Sequence, residues 1–199
     1  FQEVDSELEG VVIPVVAGGT RIQTVPFATE DLSSFNEGIQ FYAVKNMTKD
    51  GETTTIELYE KDSFAAGEPF VVVVDGETTD LLVATPTTDD VVDKATAGNG
   101  LVGVLRNTVV PIGKGYFANT AATETEEAKV EVKVMTEELS VASLKGYFDP
   151  ATFTTAADAE TALTFTVDGL DWAAQGTAGD VDGDGKVNTS DVVAVYSYI

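Results

Sequence analysis

The chain of 199 residues contains no cysteine and no histidine. The first absence excludes disulfide stapling. Together they exclude zinc sites built on Cys or His, and every catalytic arrangement that needs a histidine base or a cysteine nucleophile. Basic residues are scarce: 11 Lys and Arg stand against 34 Asp and Glu, for a formal charge of -23. Phosphate backbones and anionic lipids require basic surface, so no nucleic-acid partner and no acidic membrane surface is expected. Nor does any run approach the ~20 apolar residues of a membrane span. Val11 to Ala17 and Phe70 to Val74 have the length of strands, and no membrane insertion is expected.

What is present suits a packed β domain. Apolar residues make up 43% of the chain, enough for a core in one sizeable domain plus a small appendage. They occur in short blocks broken by Gly, Pro, Asp and Asn. Ile39 to Val44, Thr53 to Leu58, Phe70 to Val74, Leu101 to Leu105, Val130 to Met135 and Leu163 to Val167 are rich in the Val, Ile, Thr, Phe and Tyr that fit half-buried pleated surfaces. Lys49-Asp50-Gly51 reads as a hairpin turn, and Gly98-Asn99-Gly100 as a turn rather than a ligand loop. These features predict an antiparallel β-sandwich or partly closed barrel, of which a jelly roll is one form. Little helix is expected before the C-terminus, with Asp89 to Ala97 as the best exception. Lys114-Gly115-Tyr116-Phe117 returns as Lys145-Gly146-Tyr147-Phe148, and Gly67-Glu68-Pro69-Phe70 is related. The structural reading is a small residue admitting the chain to a core strand whose aromatic packs inward. The functional reading is a row of aromatics for stacking on sugar rings.

The last residues carry the most specific chemistry. From Asp180, side-chain oxygens recur at Asp182 and Asp184, glycine falls at the sixth position (Gly185), and Asp191 stands at the twelfth. Ca2+ wants six to eight oxygens, and this alternation around a sharp turn is how an EF-hand loop supplies them. Lys186 would contribute its backbone carbonyl, and Asn188 would ligate directly or through water. Asp191 departs from the pattern, being one methylene shorter than the usual bidentate Glu. Thr189 or Ser190 can cap a following helix, whose Val192, Val195, Tyr196 and Ile199 form one apolar stripe. Gly176-Thr177-Ala178-Gly179 shows no incoming helix.

A calcium loop followed by one helix, with no helix before it, resembles the repeat of the dockerins, modules that bind cohesins in bacterial cellulosomes. The resemblance rests on Asp180 to Asp191 and the helix after it. It implies Ca2+ as cofactor, a cohesin-like protein partner, and partner-contacting roles for Thr189 and Ser190, which match the positions before the last loop ligand. Dockerins carry two repeats, so a second is expected beyond Ile199. The phrases AAGEPFVVVV, GNGLVGVL, VPIGKGYF and LKGYFDP are similar to C-terminal β-modules of surface and secreted proteins of Bacteroidetes. That likeness implies a non-catalytic, surface-associated module and supplies no active site.

Residues 1–173 are thus expected to form the β-sandwich module, with 1–35 open to belonging to a preceding segment. A linker over 174–179 and a truncated dockerin-like half-repeat over 180–199 follow. The chain begins with Phe1 rather than Met, from which a processed or engineered boundary is expected. Without His or Cys, only carboxylate chemistry such as glycoside hydrolysis remains for an enzyme. The acidic clusters Glu3/Asp5/Glu7/Glu9, Asp89/Asp90/Asp93 and Glu124/Glu126/Glu127 read as solvated faces, so no enzyme is expected. The expected function is extracellular, calcium-dependent protein interaction or adhesion at a bacterial surface. The alternatives are a cohesin–dockerin assembly module, or a carbohydrate-binding module using Trp172 and the tyrosines.

Overall fold

The structure, a computed structural model, describes residues 10–84, 91–121, 128–153 and 158–172. These form an all-β, antiparallel fold. In chain order the strands are β1 (Gly10–Pro14), β2 (Thr20–Thr24), β3 (Ile39–Asp50), β4 (Thr53–Glu60), β5 (Pro69–Val74), β6 (Asp80–Ala84), β7 (Ala97–Gly98), β8 (Leu101–Val104), β9 (Thr108–Val110), β10 (Gly115–Thr120), β11 (Lys129–Val134), β12 (Leu139–Val141), β13 (Lys145–Phe148) and β14 (Leu163–Asp168). Two single 3-10 turns, Leu32–Ser34 and Pro150–Thr152, interrupt them.

One large sheet runs in the order β11-β10-β13-β2-β5-β3-β4-β14, with β8 and β7 attached beside β13. The ribbons β1–β6 and β9–β12 stand apart from it. The sheet curls until its end strands β11 and β14 touch, with no ladder between them. The curl encloses one core, which includes Ile22, Tyr42, Val44, Ile56, Leu58 and Phe148. On the opposite face of the central strands, Phe41, Phe70, Val72 and Val74 pack with Leu81 and Val83 of β6 to make a second core. Layers on both faces of β5 explain why its sequence is an unbroken apolar run: Phe70, Val72 and Val74 face one core and Val71 the other. A third, smaller cluster joins Val104, Val110, Met135 and Val141.

All six expected strands form, with ends moved by a residue or so except in β3, which continues to Asp50. Tyr42 and Val44 share a core with Met47, an odd step that period-2 alternation forbids. The register shift between Val44 and Asn46 supplies the extra residue, a β-bulge at Lys45 that restores Met47 to the buried face.

The expected hairpins are present: Gly51 (φ 62°) turns β3 into β4, and Asn99-Gly100 (φ 51° and 79°) turns β7 into β8. A side chain at Gly100 would fall on Met47 Sδ, so glycine there serves close packing as well as the turn. The helix anticipated over 89–97 does not form across its described part. The Val92 N–H donates to Pro26 O at 2.7 Å and Thr96 N–H to Gly67 O at 2.9 Å, so the segment is tied down by distant carbonyls instead of its own turns. Asp89 and Asp90 lie outside the described residues.

Candidate functional site

The expected calcium ligands Asp180, Asp182, Asp184, Lys186, Asn188 and Asp191, and the expected partner contacts Thr189 and Ser190, all lie outside the described residues. Among the described residues no cluster of three or more acidic side chains could hold a metal ion. Strand β14 and the residues up to Trp172 form the base from which the C-terminal segment departs. β14 pairs with β4 along its length, from Leu163 opposite Leu58 to Asp168 opposite Thr53. Leu170 is buried, and Trp172 packs on the core inside the curl while its indole N–H donates to Thr54 Oγ1 at 2.9 Å. The sole tryptophan therefore fastens the end of the described chain to the sheet.

The repeated Lys-Gly-Tyr-Phe phrase is a packing device. Phe117 meets Phe148 edge-on at 5.2 Å, and Tyr116 and Tyr147 pack on the third cluster. A Cβ on Gly115 would lie 3.0 Å from both Leu170 Cδ2 and Phe148 Cβ, and one on Gly146 would lie 2.8 Å from Val102 O. Gly146 marks a place where strands approach too closely for a side chain, and at Gly115 the neighbours would have to give by a few tenths of an ångström. Tyr42 is buried and Tyr59, Tyr116, Tyr147 and Trp172 are half-buried against the cores. Phe35, at 41% exposure, is the most open aromatic among the described residues.

The two lysines of the phrase differ sharply. Lys114, 1% exposed, donates to Asp149 Oδ1 at 2.9 Å. The same oxygen accepts the Ala151 N–H at 3.1 Å, so one carboxylate both neutralises a buried ammonium and caps the 3-10 turn. Burial, and then the Asp149 charge, pushes the Tyr147 phenol up.

Lys145 instead faces a second cation. It pairs with Gln23 across the β13–β2 ladder, and Arg21, two residues before Gln23, projects from the same face. Burial and the Arg21 charge pull the Lys145 ammonium down from 10.5 to about 8, and burial lowers Arg21 as well. Composition alone did not single out this pair. The available signal was the rarity of cations in the chain, but their meeting depends on a ladder between residues more than a hundred positions apart.

Compared with known proteins, the chain matches no family model, no curated protein and no solved structure.

Proposed function

We propose that the chain is a non-catalytic extracellular module of the bacterial surface, in which the β body carries a calcium-dependent C-terminal element of the dockerin kind for protein interaction or adhesion. The observation that carries this reading is the ligand spacing from Asp180 to Asp191. Four carboxylates drawn together without a cation repel one another. Ca2+ offsets that charge and couples its binding to ordering of the loop. The body supports the reading by offering a fixed base, since Leu170 is buried and Trp172 is bonded to β4 only eight positions before the first ligand.

Isothermal titration with CaCl2 tests the proposal. Saturable binding is expected for the natural sequence and its loss for Asp182→Ala/Asp184→Ala. Absence of binding to the natural sequence counts against it. A cohesin retained only in Ca2+ would assign the assembly form of the function. Calcium binding without cohesin capture leaves adhesion or another protein partner as the role.

A further inference from the structure

Arg21 and Lys145 line a cavity of about 190 Å3 with Asn119, Thr20, Val16 and Val74. The guanidinium is anchored at one nitrogen, Nη1, which donates to Pro14 O at 2.8 Å. Its Nε and Nη2 are buried and have no acceptor among the described residues.

Acids outnumber bases about three to one in this chain, 34 against 11. Even so, the ion pairs among the described residues involve Lys61, Lys114, Lys129 and Lys133, and none reaches Arg21 or Lys145. Two like charges on one face therefore lack a counter-ion among the described residues. Two like charges held together without a counter-ion repel each other, and an anion bound in the cleft would offset both.

The surroundings are held firmly. The Asn119 side chain accepts from Thr20 N at 2.7 Å and donates to Thr20 O at 2.8 Å, fixing one wall. Leu144, immediately before Lys145, sits at φ 62°, a left-handed conformation unfavourable for leucine. It is held there by its carbonyl, which accepts from Thr24 N at 3.0 Å and Gln23 Nε2 at 2.7 Å.

We infer that this cleft binds a small oxyanion, a sulfate, phosphate or carboxylate group, held between the positive charges of the Arg21 guanidinium and the Lys145 ammonium. The ligand is either the free ion or the same group carried on a sugar. Such a site is independent of the proposed calcium loop and shares no residue with it.

Nuclear magnetic resonance of the arginine side chains tests the inference directly. The chain has two arginines, Arg21 and the exposed Arg106, so an Arg106→Lys variant identifies the Arg21 Nε–Hε signal. Sodium sulfate, sodium phosphate and sodium glucuronate are each titrated against sodium chloride at equal ionic strength. The expected result is a saturable shift of the Arg21 signal with at least one of the three, with Arg106 unmoved in the natural sequence. Lys145→Met should weaken the response by about tenfold or more. A response to sulfate or phosphate alone assigns the free ion, and tighter binding of glucuronate assigns a sugar-borne acid. No saturable shift with any of the three, an equal shift in chloride, or a response that Lys145→Met leaves intact would overturn the site.

Discussion

Lys114 and Lys145 occupy the same place in two copies of one four-residue phrase, and their surroundings make them opposites. Lys114 is sealed against Asp149, with 1% and 8% of the two side chains exposed. Removing one partner strands a buried charge, at a cost of about 3–5 kcal/mol. Lys114→Met and Asp149→Asn should each lower stability by that order, and the double variant should recover part of the loss. Urea unfolding of the four proteins measures the coupling, and additive losses would show that the pair does not act as one.

Lys145 pays in the other direction, because its folded pKa of about 8 lies below the unfolded 10.5. Below about 8 it is charged in both states and the full desolvation penalty is present. Between about 8 and 10.5 the unfolded chain binds more protons than the folded one, so stability rises with pH. The difference in stability between Lys145→Met and the natural sequence should therefore favour the variant most at pH 7 and shrink towards pH 10. Denaturant midpoints across that range check the sign. The glycines of both phrases were legible as packing signals in the sequence. The partner of Lys114 was not, because Asp149 follows the second copy of the phrase yet neutralises the lysine of the first.

At the scale of elements, legibility follows periodicity. The apolar block of β5 and the alternation of β4 announce themselves because neighbours on both sides satisfy a regular pattern. The second half of β3, Lys45 to Asp50, reads as polar because Met47 is its one apolar residue, and the bulge at Lys45 shifts the phase at which Met47 is buried. Val91 to Thr96 misleads for a different reason: the Pro26 and Gly67 carbonyls that compete for its N–H groups are remote in sequence. The short strand β13 is visible only through its repeat, since its ladders run to β8, β2 and β10.

The β14 end shows how one side chain can fix the end of an element. Trp172 contributes both apolar contact and the bond to Thr54. Trp172→Phe keeps most of the contact and should cost about 1 kcal/mol for the lost hydrogen bond, whereas Trp172→Ala should cost more. Trp172 is the sole tryptophan and packs on the core, so emission from the natural chain reports on it and should be blue-shifted. It should also change in the same unfolding transition as far-ultraviolet circular dichroism. A separate, earlier fluorescence transition would show that this anchor opens independently of the sheet.

For the whole molecule, a formal charge of -23 means that any cation will stabilise it to some degree by screening self-repulsion. A calcium effect is therefore informative only when separated from this general one. Screening depends on ionic strength, with a Debye length of about 10 Å at 0.1 M, and rises gradually without saturating at a stoichiometric amount. A loop with the Asp180 to Asp191 spacing behaves differently. It should take up one Ca2+ at concentrations that barely alter ionic strength, and it should discriminate against Mg2+, which demands tighter octahedral geometry and gives up water reluctantly. Calorimetric unfolding in a fixed NaCl background should thus show a gain that sets in once CaCl2 exceeds the dissociation constant of the loop, in the micromolar to millimolar range that sensor and extracellular EF-type loops span, and that then grows with the logarithm of its concentration. MgCl2 should give only the smaller, graded change, and Asp182→Ala/Asp184→Ala should respond alike to both salts. If the natural chain also responds to both alike, its acidity alone accounts for the effect and the ligand spacing plays no part in it.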